Sequence, residues 1–123
     1  MNEERLFTKA VAEAELRELR VRLPRLREAR QRLIDTSERI TTAVEIDGGG
    51  VEGSEWFRSQ ETLKQELQWL ADRGILLRDA DIGLVDFPAD RDGQRVFLCW
   101  RLGEEGIGWF HSERSGFSGR KPL

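Results

Sequence analysis

The chain has 123 residues, with 20 Lys and Arg against 23 Asp and Glu and a net charge of −3. This length predicts one domain over residues 1–123, and the acidic balance argues against nucleic-acid binding. A single Cys excludes an internal disulfide, and no stretch approaches the roughly 18 apolar residues that cross a bilayer. Because no apolar leader precedes the helices, a cytoplasmic location without a membrane partner is expected. Only three of the 20 basic residues are Lys, an Arg bias typical of GC-rich bacterial genomes.

Residues 8–45 predict a long first helix with Thr8 as its N-cap. Apolar residues recur along it at helical spacing and share one heptad seam: Leu16, Leu19, Leu23, Leu26, Leu33, Ile40 and Val44. Pro24 interrupts this seam, and proline inside a helix removes a donor and clashes with the preceding turn, at about 3 kcal/mol. The helix is therefore expected to kink near Pro24, or to end near Arg22 and restart. The unbroken register favours the kink.

A second helix is predicted for residues 55–73, capped by Ser54 and ended by Gly74. The glycine-rich residues 46–54 are predicted to be a flexible linker, so that residues 8–73 form an antiparallel helical hairpin. The first helix is longer than the second, so part of its leucine seam is expected to pack against the sheet or against a second copy of the protein.

Six arginines crowd residues 20–32, against the single acid Glu28. One interpretation is a surface for phosphate or nucleic acid. The alternative is a solvated helix, since at about 100° per residue the arginines spread around most of its circumference. Acids four residues before arginines, as in Glu28–Arg32, also form helix ion pairs. The spread favours the solvated helix.

Three apolar runs separated by turns at residues 90–93 and 103–106 predict a three-stranded antiparallel meander, with strands at residues 82–88, 94–102 and 107–112. Residues 113–123 form a C-terminal tail. The predicted fold class is therefore α+β: a long antiparallel helical hairpin, its first helix kinked near Pro24, packed on a three-stranded β-meander.

The expected register places Trp100 opposite Trp109 and places Leu98 between Asp86 and His111. One face then carries Asp86, Leu98, Trp100, Trp109 and His111, and the other carries Val85, Phe87, Phe97, Cys99, Arg101 and Phe110. A first loop longer by one residue would move Asp86 to the face of Cys99. Both faces are apolar, so the hairpin covers one and the tail with Phe117, or a second subunit, covers the other. This pattern predicts a homodimer.

The motifs GLVDFP, LCWRLGE and GFSGR, with the aromatic pair before His111, resemble a small bacterial family catalogued as domain of unknown function 2203. The helical start FT…EAE…LP.LR is similar to it more loosely, and the resemblance covers most of the chain. In that family a Trp often directly precedes the His, whereas Phe110 does so here. The family has no established activity. The resemblance therefore supports the domain boundaries but does not imply a mechanism.

A metal site would draw on Asp86, Cys99, Glu104 and His111, but the chain has no CxxC and no HExxH motif. Since Cys99 and His111 are expected to point to opposite faces, neither a metal site nor a Cys–His nucleophile is predicted. The chain also lacks G-x-G-x-x-G and P-loop motifs, so no cofactor is expected.

A polar site for a small anionic ligand fits the expected register better, with candidate residues Asp86, Trp100, Glu104, Trp109, His111 and Arg120. An aspartate in an apolar strand needs a partner, for which Arg101 or Arg120 is available. Equally, a Glu104–Arg120 or Asp86–Arg120 salt link would only pin the tail.

The leading functional hypothesis is a non-catalytic, oligomeric binding or assembly module of the cytoplasm. The alternative is a small enzyme or ligand-binding protein with a polar site at Asp86, Glu104, His111 and Arg120. A third hypothesis, nucleic-acid binding through the Arg-rich helix, is disfavoured by the acidic balance.

Overall fold

The computed structural model describes residues 4–46 and 52–123, with side chains for residues 4–39 and 54–123. Two helices precede five strands: α1 Lys9–Ile46, α2 Glu52–Arg73, β1 Leu76–Asp79, β2 Leu84–Arg91, β3 Gln94–Arg101, β4 Trp109–His111 and β5 Lys121–Pro122. All neighbouring strands are antiparallel and follow sequence order, so the sheet is a meander. The α+β prediction is confirmed. No helix of the described residues has the length and apolar character needed to span a membrane.

The first helix begins as predicted, because the Oγ1 of Thr8 accepts a hydrogen bond of 3.2 Å from the Val11 amide. Pro24 lies inside one continuous α1. The alternative of two helices meeting there is therefore wrong, and a bend at this point stays a prediction. Leu23 and Leu26, on either side of Pro24, are fully buried. Their burial stabilises the helix by about 1.5–3 kcal/mol each, enough to offset the proline.

The second helix begins three residues earlier than predicted. It starts at Glu52, so Ser54 lies within its first turn and is not the residue that precedes it. The two ends of the predicted flexible linker, residues 46 and 52–54, are helical, and residues 47–51 lie outside the described residues.

The prediction of three strands is wrong, because the edge strands β1 and β5 were missed. β1 has four residues and β5 has two, and neither strand contains a buried residue. Such short, half-exposed edges carry too few apolar positions to produce a period-two signal. The three central strands were found, and β2 and β3 pair over eight residues.

A two-residue turn joins β2 to β3. Arg91 pairs with Gln94, and between them Asp92 and Gly93 have φ angles of 54° and 81°. Positive φ at both central residues defines a type I′ turn, for which Asp-Gly is a favoured sequence. The turn is one residue shorter than expected, and this shifts the register of the whole hairpin.

The helices cover one face of the sheet, here called the inner face. The buried side chains that meet there come from the N-terminal half of α1, the end of α2 and alternate positions of the central strands: Leu16, Leu19, Leu23, Leu26, Leu70, Val85, Phe87, Ala89, Val96, Leu98 and Trp100. Phe7 closes this core edge-on against Phe87, with 5.1 Å between ring centroids. The opposite, outer face holds the other half of each strand.

Candidate functional site

The outer face brings together the three residues with the most varied side-chain chemistry. Asp86 pairs with Cys99 across β2 and β3, and His111 pairs with Phe97 across β3 and β4. Positions 97 and 99 share a face, so the carboxyl, thiol and imidazole groups all point outward. The expected pairs of Leu98 with Asp86 and His111, and of Trp100 with Trp109, are therefore wrong. Each hairpin is displaced by one residue, and Cys99 and His111 do not face opposite sides.

These three residues, here called the outer cluster, lie close together and away from solvent. One potential ligand atom from each lies within 4.8 Å of the other two. The exposed fractions of Asp86, Cys99 and His111 are 1%, 0% and 4%. Titratable side chains this deeply buried require specific partners. The partners therefore indicate what the cluster can do.

His111 is held by hydrogen bonds at both ring nitrogens. Nδ1 lies 2.7 Å from the Ser112 carbonyl oxygen, and Nε2 lies 2.9 Å from Oδ2 of Asp86. A carbonyl oxygen can only accept, so Nδ1 carries a proton and donates it. Nε2 faces a carboxylate oxygen, so a second proton lies between this nitrogen and Asp86. Asp86 and His111 share a face of the sheet, as expected, but they are in direct contact and Leu98 does not lie between them.

Within the described residues, one carboxylate oxygen of Asp86 accepts hydrogen bonds and the other does not. Oδ2 accepts from Nε of Arg78 at 2.8 Å as well as from His111. Oδ1 is buried and has no hydrogen-bond partner in the described part of the chain. The predicted partners Arg101 and Arg120 are wrong. Arg78 was missed because it belongs to β1, where it is the extra residue of a β-bulge between Leu77 and Asp79.

Cys99 is a neutral thiol in this setting. Burial raises its pKa to about 12, and the negative charge of Asp86 contributes further to the rise. Nη1 of Arg120, 4.0 Å from Sγ, acts in the opposite direction but does not compensate. A thiol that stays protonated at neutral pH is a poor nucleophile. The geometry permits a Cys–His pair, but this electrostatic environment disfavours covalent catalysis through it.

The predicted Glu104–Arg120 salt link is confirmed, and it fastens the tail over the outer cluster. Two N–H groups of Arg120 donate to the carboxylate at 2.7 and 3.1 Å, and the Arg101 amide donates to it at 2.8 Å. Burial raises the pKa of Glu104, but the hydrogen bonds from Arg120 and Arg101 outweigh it and the net pKa is lowered. The guanidinium also stacks on the rings of Trp109 and Phe117.

The two predicted site tryptophans lie on different faces. Trp100 is fully buried in the inner core and donates its indole N–H to the Glu104 carbonyl at 3.1 Å. Trp109 pairs with Cys99 on the outer face, under Arg120. They do not form the walls of one pocket. Of the predicted candidates, only Trp100 lies apart from the outer cluster and the salt link beside it.

The outer face is covered within the chain itself. The guanidinium of Arg78 lies 4.9 Å from the centroid of the Phe97 ring, and the tail places Arg120 and Phe117 beside Trp109. Phe97 is 4% exposed. A second subunit is therefore not needed to cover this face, which removes the main sequence-based reason for a homodimer.

The six arginines of residues 20–32 are engaged within the chain. Their partners are distributed over α1, α2 and two loops: Arg20 with Glu105, Arg22 and Arg25 with Glu66, Arg27 and Arg30 with Asp81, and Arg32 with Glu28. A phosphate-binding surface needs cations with free donors on one side. These contacts support the interpretation of a solvated, internally paired helix.

A cavity of about 640 Å³ lies between α1 and α2, away from the outer cluster. Arg25, Arg32 and Arg58 line it together with Glu28 and Glu55, so its charges are mixed. Arg25 and Arg32 are paired with acids, as described above. This cavity and the outer cluster therefore lie in different parts of the molecule.

Comparison with known proteins identifies a family and nothing more specific. The sequence profile of the uncharacterised conserved protein family DUF2203 matches residues 5–123. No curated protein matches the chain, and no solved structure does. The family match covers both helices and all five strands.

Proposed function

We propose that this chain, which belongs to the DUF2203 family, binds a divalent transition-metal ion such as Zn²⁺ at Asp86, Cys99 and His111. The observation that carries the proposal is Oδ1 of Asp86, which is buried and has no hydrogen-bond partner in the described residues. An unsatisfied buried carboxylate oxygen costs several kcal/mol when left alone. A cation bound beside the thiol and the imidazole would satisfy it.

The donor atoms favour a transition metal over a hard cation. Thiolate, imidazole and carboxylate together suit Zn²⁺ and its neighbours, whereas Mg²⁺ and Ca²⁺ prefer oxygen alone. With bonds of about 2.0–2.3 Å, the ligand atoms of a tetrahedral zinc site lie roughly 3.3–3.8 Å apart. The atoms of the outer cluster lie within 4.8 Å of one another. Small side-chain rotations would bring them to the required distances.

The protons of the cluster are placed where a metal ion would replace them. A divalent ion supplies the positive charge that stabilises the Cys99 thiolate, whose pKa burial has raised to about 12. It also takes the place of the proton between Nε2 of His111 and Asp86. The Nδ1–H bond to the Ser112 carbonyl is the contact that orients a histidine binding metal through Nε2.

Metal titration tests this proposal directly. The metal-free protein is expected to bind one Co²⁺ with thiolate-to-metal charge-transfer absorption in the near ultraviolet, and to bind Zn²⁺ in competition with a chelator. Cys99→Ser is expected to abolish the charge-transfer band. Asp81→Asn, at an acid with a 68% exposed side chain, is the matched control and should leave it unchanged. Wild-type protein that binds no metal at equimolar concentration would contradict the proposal.

The proposal keeps the hypothesis of a non-catalytic binding protein and adds a metal ion as its ligand. An anionic site formed jointly by Glu104 and Arg120 is disfavoured because these two residues satisfy each other. An enzyme that uses Cys99 as a nucleophile has less support, since the thiol is neutral without metal.

Self-association is a separate proposal, supported by apolar side chains that the helices leave exposed. Phe57 and Val21 are 68% and 58% exposed, and Ile34 is 39% exposed. Solvent-exposed aromatic and aliphatic side chains are common at interfaces between copies of a chain. Light scattering at tens of micromolar tests the homodimer, and a mass of one chain would end this proposal.

A further inference from the structure

We infer that a metal ion at the outer cluster keeps one coordination position for a small oxyanion, a carboxylate or a phosphate, and that Arg78 binds this anion. The inference rests on the metal-binding function proposed above. It adds a ligand class and a residue that the metal site alone does not require.

The described residues offer three ligands to the metal and no fourth. The described residues include one group of His, Cys, Asp or Glu side chains close enough to share an ion, and it contains Asp86, Cys99 and His111. Glu104 is the nearby acid, but Arg120 and the Arg101 amide occupy its oxygens. Zinc sites with three protein ligands take their fourth ligand from solution.

The charges around the site favour an anion in that position. One carboxylate and one thiolate neutralise a divalent ion, and Glu104 neutralises Arg120. Arg78 then remains as a cation beside a neutral metal centre, because its ionic contact is with Asp86, a metal ligand. An excess of one positive charge beside a metal attracts an anion as the exchangeable ligand.

Arg78 has free donors held in a fixed position. It contacts Asp86 through Nε, and neither Nη1 nor Nη2 has a hydrogen-bond partner in the described part of the chain. Its guanidinium lies over the ring of Phe97, and that ring packs against His111 at 5.3 Å between centroids. Arg78 is the extra residue of the β-bulge in β1. The arginine is therefore anchored at one end of the guanidinium and open at the other.

These donors match an oxyanion. Paired guanidinium N–H groups recognise carboxylate and phosphate oxygens, which carry the complementary spacing. The Arg78 side chain is 42% exposed, so an anion can reach its guanidinium from solvent. One oxygen would bind the metal while a second accepts from Arg78. Metal and anion would therefore bind together, each strengthening the other.

Anion titration of the Co²⁺-loaded protein tests the inference. Acetate or inorganic phosphate is expected to change the ligand-field absorption with saturation, whereas perchlorate at the same ionic strength is not. Arg78→Gln should weaken the anion about tenfold or more, which is the size of a lost charged hydrogen bond. Arg17→Gln is the matched control, because Arg17 is exposed and makes no ion pair with the described residues.

The outcomes separate this inference from the metal-binding function. Absence of the thiolate band in wild type ends both. A normal band with no response to either anion overturns only the oxyanion site. Equal anion affinity in Arg78→Gln and Arg17→Gln overturns the role of Arg78. If Arg78→Gln loses Co²⁺, Arg78→Lys keeps the charge beside Asp86 without the paired donors, and it must still weaken the anion for the inference to stand.

Discussion

Replacing Asp86 with Asn removes the negative charge at the centre of the outer cluster while keeping the size of the side chain. His111 and Arg78 both direct hydrogen bonds at this carboxylate. After the substitution, an amide of the same shape faces two donors. The protein is expected to fold and to be clearly less stable, even without metal.

The expected loss follows from the exposure of the two partners. The contact with His111 joins side chains that are 4% and 1% exposed, so a charged hydrogen bond is lost in a dry environment, at about 1.5–3 kcal/mol. Arg78 is 42% exposed, and solvent screening limits its contact to about 0–1 kcal/mol. The total is about 1.5–4 kcal/mol in the free energy of unfolding. For a domain of this size it lowers Tm by roughly 10 °C.

Urea unfolding followed by tryptophan fluorescence, in buffer with a chelator, measures this loss. Asp81→Asn is the control, since Asp81 also pairs with an arginine, Arg30, but both side chains are exposed. The control is expected to change stability by less than about 0.5 kcal/mol. If Asp86→Asn is no more destabilising than Asp81→Asn, the buried pair does not stabilise the fold and the reasoning is wrong.

Three further predictions concern the surroundings of the cluster. Burial raises the pKa of Cys99 from its unfolded value of 9.0 to about 12. The contribution of the protonated thiol to the stability of the fold is therefore complete below pH 9.0 and is lost as the pH rises towards about 12. Cys99→Ala should therefore reduce the loss of stability at alkaline pH, and an unchanged loss would contradict this reasoning. Because the pKa of Glu104 is lowered, its pair with Arg120 stabilises above pH 4.5 and fades as pH falls further. Glu104→Gln should destabilise by about 1–2 kcal/mol at neutral pH and not in acid, where an equal loss would refute the assignment. Phe87→Ala should cost about 3–5 kcal/mol in urea unfolding, and a loss below 1 kcal/mol would mean that the inner core repacks around the space.

The helical part of the fold could be predicted because its signal is long. The heptad seam of α1 repeats over many turns, and the buried positions Leu16, Leu19, Leu23 and Leu26 are those of the seam. Pro24 is a local signal that tertiary packing overrides, since the leucines around it are buried against the sheet. The strands β1 and β5 are too short to repeat a pattern. Only their pairing with neighbours makes them strands.

The residues of the candidate site could be named from the sequence, but their arrangement could not. Asp86 and His111 stood out as polar groups in apolar strands, and the structure brings them together. The error concerned Cys99, because side-chain direction reverses with each residue of register. The dipeptide Asp92-Gly93 was the available signal, since Asp-Gly favours a two-residue turn. Nothing comparable marks the second connection, where β3 ends at Arg101 and β4 begins only at Trp109.

The type I′ turn at Asp92 and Gly93 has a consequence for how this protein can evolve. One residue gained or lost between Arg91 and Gln94 would place Asp86 opposite a β3 residue of the inner face and separate its carboxylate from Cys99. Substitutions that keep positive φ within the turn leave the cluster intact. Related chains should therefore vary the two turn residues only among those that accept positive φ, and they should keep the length of the turn.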